Sequence, residues 1–425
     1  MKTVVLDDDP TGTQSASGVR VLLECSADAI EETLRDAESV YVQTNSRALA
    51  EADAVDLVRR IRADGEEAAR RLGVDVRFVL RGDSTLRGHV FAETEVFLDG
   101  DAVMVFVPAF PDGGRTTRDG VHYVNVGGHD LPAHESEYAA DPVFGFSTGV
   151  LVDYVAEKSG RTAVPVPLAT VRGGGLATVL STARPGTVVL PDAVDNTDIR
   201  VIAEAIATAG DAGRAIVVRT AAPVAAELAG VTSRGLLRAP LLDRPLPTLL
   251  VCGSHTTGAT TQLAPVIDRW GAPIVVDTAG ALDDPDSEGR HAADQLRAQL
   301  DARSFAVLMS ERDRSSDHNT LSHGERIMTA LTTAVRGALP HLSVVVAKGG
   351  ITSAEVARAG IGATSALVLG QIRPGVSVWQ LEDRNGRDIL YVVVPGNVGD
   401  HDTLVEILDA LRIGAAAPVG SRQIS

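Results

Sequence analysis

Short apolar runs rich in Val and Leu alternate with amphipathic stretches rich in Ala, Arg and Glu along the whole chain. The apolar runs predict strands at 3–7, 19–23, 39–43, 76–80, 102–107, 187–190, 215–218, 248–252, 273–277, 305–309, 343–347 and 391–394. The amphipathic stretches predict helices at 52–72, 147–158, 198–209, 222–230, 258–270, 286–301, 322–337, 352–361 and 402–412. Continuous apolar strands between helices imply a parallel sheet covered on both faces. Their repeated alternation makes the chain α/β. A length of 425 residues implies two domains. The stretch "RAPLLDRPLPT" (238–248) has three prolines in eleven residues and no helical period, so it reads as the boundary. The expected domains are 1–240 and 246–425, each a mostly parallel sheet flanked by helices. The Gly/Pro-rich segment 108–135 is long for a loop inside a compact domain, which marks it as functional or disordered.

Composition narrows the function. Aromatic residues make up 4% and the net charge is −17, both against a nucleic-acid surface. An anionic substrate would therefore need a local cluster of Arg and backbone N–H groups. Cys25 and Cys252 form no CxxC pair, which suggests neither a disulfide framework nor a cysteine zinc site. The chain enters a strand within three residues and has no apolar run long enough to span a bilayer. A soluble cytoplasmic protein is the expectation.

"VVLDDDPTGTQ" (4–14) runs an apolar strand straight into three aspartates. Like charges so close repel one another, so the stretch implies a metal, a phosphoryl group or a polyol. Asp7-x-Asp9-x-Thr11 resembles the nucleophile turn of haloacid dehalogenase phosphatases. The alternative is a carboxylate pair that grips sugar hydroxyls and deprotonates one of them, since an ionised carboxylate only accepts hydrogen bonds. "YVQTNSRAL" (41–49) ends a strand in Thr44, Asn45, Ser46 and Arg47, a polar edge. "FVLRGDSTLRGHV" (78–90) delivers Arg81, Asp83, Ser84, Thr85 and Arg87, with glycines at 82 and 88. "VFVPAFPDGGRTTRDG" (105–120) stiffens a turn with Pro108 and Pro111 and offers Arg115, Thr116 and Thr117 as an anion or hydroxyl clamp. His122, His129 and His134 match no helical metal pair and read as ordinary loop histidines.

The C-terminal half repeats one device. "LLVCGSHTTGATTQ" (249–262), "VVVAKGGITSAEVARAGI" (344–361) and "VVVPGNVGDHDTLVEIL" (392–408) each read as strand, glycine turn, helix. Helix N-termini with close-approach glycines suit phosphate. Neither GxxxxGK[ST] nor GxGxxG is present. Three such turns in one domain favour nucleotide binding.

Together these stretches resemble the four-carbon acid sugar kinase family. The carrying residues are Asp8-Asp9 with Thr11-Gly12, Thr44 with Ser46-Arg47, Asp83-Ser84-Thr85-Leu86-Arg87-Gly88, and Pro108-Ala109-Phe110-Pro111 with Gly114-Arg115-Thr116-Thr117. Gly253-Ser254 with Gln262, Gly349-Gly350-Ile351-Thr352 and Gly396-Asn397-x-Gly399 continue the series in family order. The resemblance implies ATP-dependent phosphorylation of a hydroxyl on threonate, erythronate or 3-oxo-tetronate. It implies an acid-binding N-terminal domain, an ATP-binding C-terminal domain and chemistry in the cleft between them. Ser254, Gly349, Gly350, Ile351, Thr352, Gly396 and Asn397 are then the ATP contacts. Asp8, Asp9 and Asp83 are candidates for the base and polyol ligands. Arg47, Arg87 and Arg115 would hold the substrate carboxylate or the moving phosphoryl group, and Thr11, Ser46, Ser84, Thr85 and Thr116 are substrate contacts. Mg²⁺ is expected with ATP, its protein ligands unidentified. Two departures fall on substrate-side loops: Pro10 where many members have Leu, and Leu-Arg-Gly before Asp83 where a lysine is common. The expected partners are the acid and ATP, without nucleic acid or membrane, and a homodimer stays open. An Asp7/Asp9 phosphatase and a non-catalytic sugar-acid sensor are the competing readings.

Overall fold

A computed structural model describes residues 1–233, 235–312, 321–396 and 398–414. The chain divides into two compact units, Met1–Arg234 with Leu367–Gly370, and Gly235–Ala366 with Gln371–Ser425.

In the N-terminal unit the strands are β1 (Lys2–Asp7), β2 (Arg20–Leu22), β3 (Ser39–Gln43), β4 (Val76–Arg81) and β5 (Val103–Val107). After them come β6 (Arg115–Arg118), β7 (Val121–Val126), β8 (His129–Pro132), β9 (Ala163–Val166), β10 (Val188–Pro191) and β11 (Ile216–Thr220). The main sheet runs β2-β3-β1-β4-β11-β5-β10-β9, with parallel pairing throughout. β1 lies inside it, and Asp7 is in register with Gln43 on one side and Arg81 on the other. The helices Ala27–Asp36 and Glu51–Leu72 pack on this sheet through Ile30, Leu34, Val58 and Ile61 against Val4, Leu6 and Val42. The first of these helices was not predicted. It is short, and Ser26 caps it by accepting from the Ala29 N–H at 3.2 Å.

The segment expected as a long loop instead folds into an antiparallel sheet, β6-β7-β8. Its two tight turns are Asp119-Gly120 and Gly127-Gly128, with φ of 51°, 73°, 59° and 86°. Two left-handed residues in a row make the turn that suits hairpin twist. The dipeptides were visible in the sequence but were read as loop composition.

The C-terminal unit has β12 (Thr248–Cys252), β13 (Ile274–Val276), β14 (Phe305–Ser310), β15 (Val344–Lys348), the two ends of β16 (Ser365–Arg373), β17 (Val376–Glu382) and β18 (Asp388–Val394). The order β13-β14-β12-β15-β18 is parallel, and β17 joins β18 antiparallel. The predicted α/β class therefore holds, with the antiparallel β6-β7-β8 sheet and the antiparallel β17-β18 pair added. Among the described residues no helix is long and apolar enough to cross a membrane.

Candidate active site

The three aspartates end β1 and are almost wholly buried, at 0%, 1% and 2% exposure for Asp7, Asp8 and Asp9. Burying three carboxylates requires a counter-charge, and Arg81 supplies it from the end of β4. Its Nη1 donates to Asp7 Oδ1 (3.0 Å), Asp8 Oδ1 (3.1 Å) and Asp9 Oδ1 (3.0 Å), and Nη2 donates to Thr11 Oγ1 (3.1 Å). Asp9 also caps the Pro10–Ser15 turn by accepting from the Thr11 N–H at 2.8 Å and from the Thr11 hydroxyl. Arg47 pairs with Asp9, and its Nε lies 3.4 Å from Asp8 Oδ2. Arg81 was one residue among several in its stretch and was not singled out, yet it is the hub of the cluster.

Asp83 accepts from the Thr85 hydroxyl and from Arg87 Nε at 2.8 Å, and Arg47 Nη1 lies 3.7 Å away. Arg87 stacks over the Tyr138 ring at 4.9 Å. The Thr44 hydroxyl donates to Asp7 O (3.1 Å), and Ser46 Oγ lies 3.2 Å from Thr44 Oγ1. The structure thus brings together Asp8, Asp9, Thr11, Arg47, Asp83, Thr85 and Arg87, with Ser46 and Ser84 on adjoining turns. Arg115 leans on Gly113 O and is close enough to His122 for its charge to act there. Thr116 lies on the opposite face of β6 from Arg115 and Thr117, as strand alternation requires.

His122 is no loop histidine. It is fully buried, with Nε2 2.8 Å from Ser84 O and Nδ1 3.1 Å from Thr117 Oγ1. A carbonyl only accepts, so Nε2 carries the proton and the Thr117 hydroxyl donates to Nδ1. Burial pushes its pKa down to about 4, so the ring stays neutral and ties the Asp83–Arg87 loop to the β6-β7 hairpin.

Electrostatics separate the carboxylates. Burial, helped by the Asp8 charge, pushes Asp7 up to about 7 although Arg81 pulls the other way. Burial also works to raise Asp83, but Arg87, Arg47 and the Thr85 hydroxyl outweigh it and hold Asp83 well below the usual carboxylate range. Such an acid is a weak base. Asp7 is unsuited as a nucleophile, because the Gly12 backbone packs so close that a Cβ there would overlap both of its carboxylate oxygens. The phosphatase reading is not favoured.

In the C-terminal unit, β12, β15 and β18 are neighbours, so their terminal turns meet. A Cβ on Gly349 would lie 3.0 Å from Ser254 Cβ, and one on Gly396 would lie 2.9 Å from Ser254 Oγ. Gly349 also has φ of 116°, which L side chains avoid. Gly350, Ile351 and Thr352 open the helix Gly350–Glu355, with Ile351 exposed and Thr352 buried. Asn397 lies outside the described residues. Lys348, to which the sequence assigns no role, is fully buried and donates to Pro395 O (2.7 Å) and Val398 O (3.2 Å), locking two of the turns together. Burial brings its pKa down to about 8. Gln262 Nε2 and Thr256 Oγ1 hold the same 395–398 turn through Val398 O (3.1 Å) and Gly396 O (2.9 Å).

Among the described residues, Asp7, Asp8 and Asp9 form a group of metal-ligating side chains within 4.8 Å of one another. Arg81 and Arg47 already neutralise that trio, so it does not fit a resident divalent cation.

One α/β unit thus carries a buried carboxylate–guanidinium cluster, and the other carries glycine turns that meet around Ser254. The chain matches the sugar-binding N-terminal domain family over residues 3–228 and the nucleotide-binding C-terminal domain family over 249–404. It is 30% identical over 388 residues to a D-threonate kinase of Bordetella bronchiseptica, covering 90% of this chain and 88% of that one. It is 30% identical over 300 residues to a D-erythronate kinase of Heliobacterium modesticaldum, covering 66% and 64%. A crystal structure of a Haemophilus influenzae protein superposes with a TM-score of 0.60 at 19% identity, covering 96% of this chain and 99% of that one, a likeness of fold. The chain belongs to the four-carbon acid sugar kinase family.

Proposed function

We propose that the protein transfers the γ-phosphoryl group of ATP to a hydroxyl of a four-carbon sugar acid of the threonate or erythronate type. The observation that carries this reading is the pairing of two sites, the carboxylate–guanidinium cluster ending β1 and β4 and the glycine-lined turns ending β12, β15 and β18. Arginines beside hydroxyl-bearing loops suit a polyhydroxy carboxylate, and close-approach glycines suit phosphates. The relatives named above act on acids of this class.

Phosphoryl transfer needs positioning, charge neutralisation and a base beside the nucleophilic hydroxyl. Asp8 is the best supported base. Asp9 has both oxygens engaged, by Thr11 and Arg81 on one side and Arg47 on the other. Asp83 is held ionised by its arginines. Asp8 Oδ2 alone of these is buried with no hydrogen-bond partner. Mg²⁺ would come with ATP and neutralise its phosphates.

A coupled ADP-release assay over a panel of four-carbon acids tests the reading. Acid-dependent ADP release is expected, while binding without turnover would favour a sensor. Gly350→Val is expected to raise the ATP KM about 10–100-fold, equivalent to losing one hydrogen bond to a charged group. Acid binding, measured by calorimetry, should stay unchanged. An unaltered ATP KM in the folded variant would remove Gly350 from the site.

A further inference from the structure

Three buried polar atoms without hydrogen-bond partners converge on one point of the N-terminal unit: Asp8 Oδ2, Arg47 Nε and Arg219 Nη2. Arg47 Nε is 3.4 Å and Arg219 Nη2 is 3.9 Å from Asp8 Oδ2. Gly88, with φ of 117°, leaves room beside them. A carbon added there would lie 3.5 Å from Asp8 Oδ2 and 3.6 Å from Arg219 Nη2, ordinary contact distances. Arg219 is 1% exposed, in the apolar strand β11. Glu93 takes its Nη1, which fixes the guanidinium and leaves Nη2 turned toward Asp8.

The chemistry of the three atoms selects the ligand. A carboxylate or phosphate oxygen would be repelled by Asp8, and a cation by the two guanidinium groups. A hydroxyl satisfies all three, because it donates one proton and accepts at two lone pairs. The 3.9 Å gap is too long for a direct hydrogen bond and short enough for one oxygen to bridge.

We propose that Arg219 is a catalytic residue, whose Nη2 and Arg47 Nε donate to the acceptor hydroxyl of the sugar acid while that hydroxyl donates to Asp8 Oδ2. In the transfer, the hydroxyl proton passes to Asp8, and the lone pair that faced Arg47 Nε is released. That pair bonds to the γ-phosphorus, and the bond from that phosphorus to the β–γ bridging oxygen breaks, its electron pair leaving with ADP. Arg219 Nη2, fixed by Glu93, stays on the oxygen and stabilises the negative charge that builds as its proton leaves. This assignment rests on the kinase reading above and adds to it the residue that reads the reacting hydroxyl.

The test uses full-length protein, D-threonate as the acid, ADP release for turnover and calorimetry for acid binding without ATP. Arg219→Lys keeps the charge but cannot hold a donor at the same point. It should lower kcat/KM for the acid on the order of 10²-fold, as small displacements in a reacting site do, with the ATP KM unchanged. The double variant Glu93→Gln/Arg219→Gln removes both charges, so neither is left buried alone. It should fold, as judged by circular dichroism, and remain as impaired as Arg219→Lys. Recovery of near wild-type turnover in the double variant would make Arg219 only the partner of Glu93 and overturn the proposal, as would an Arg219→Lys enzyme within threefold of wild type. If wild type releases no ADP with any four-carbon acid, the kinase reading fails by itself. Calorimetry then decides the pocket: threonate bound by wild type and lost from both variants supports it, and any other binding result overturns it.

Discussion

Arg81→Met is expected to destabilise the N-terminal unit by about 3–5 kcal/mol at pH 7.5, the usual cost of stranding a buried charge. One guanidinium nitrogen serves Asp7, Asp8 and Asp9, so its loss leaves three buried carboxylates without their common donor. Repulsion among them is then opposed by Arg47, which pairs with Asp8 and Asp9 and acts on Asp7 from further off, and by the more distant Arg219 at Asp8. For a unit of this size the melting temperature should fall by roughly 6–20 °C. The deficit also depends on pH. Burial already raises the folded-state pKa of Asp7 to about 7 against the pull of Arg81, and loss of Arg81 raises it further. Stability linked to such raised groups is present below the ordinary carboxylate pKa and is lost as pH rises through the folded one. The gap between variant and wild type should therefore widen from pH 4 to pH 8. Arg81→Lys should fall between them, since an ammonium cannot span three carboxylates and Thr11. A methionine variant melting within 2 °C of wild type at pH 7.5 would show that the cluster is neutralised elsewhere.

Arg81 also shows what the sequence made legible. Asp8-Asp9-Thr11 and Asp83-Thr85-Arg87 could be read because their partners are adjacent in the chain and touch within a single turn. Arg81, Arg219, His122 and Lys348 act on residues brought close only by the fold: Arg81 on a turn more than seventy residues earlier, Arg219 on Glu93 and His122 on Ser84. Three of the four share a signal. Each of "FVLR", "IVVR" and "VVVAK" is an apolar run that closes on a cation at or one residue before the end of its strand. A charge carried into a core by its strand must find a partner there, so the last cation of an apolar strand points toward a buried acidic or carbonyl cluster. His122 gave no such sign, because its neighbours alternate as in any hairpin. The strand β17 was missed for the same reason of alternation, although Asn385-Gly386 marks its turn into β18. The parallel strands were legible because burial on both faces makes them continuously apolar.

The acidic turn itself yields the sharpest kinetic ranking. Asp8→Asn should lose on the order of 10²–10⁴-fold in kcat, the usual cost of removing a general base. Its residual rate should rise with pH as more of the acceptor hydroxyl ionises. Asp9→Asn places an amide N–H₂ against Arg47 and should lose mainly through the acid KM. Asp7→Asn should stay close to wild type in turnover, because Asp7 is fully buried and its Oδ1 only receives Arg81, which asparagine can still do. Its stability should carry a pH signature. Burial raises the folded pKa of Asp7 to about 7 from the ordinary 3.8, so its contribution is fully present below about pH 4 and lost as pH rises through 7. Asparagine does not titrate. The melting temperature of Asp7→Asn relative to wild type should therefore climb between pH 4 and pH 8. Steady-state rates for the three variants, with melting curves at both pH values, distinguish this site from a phospho-aspartate enzyme. In that enzyme Asp7 is the nucleophile, and a dead Asp7→Asn beside active Asp8→Asn and Asp9→Asn would overturn the kinase assignment of the cluster.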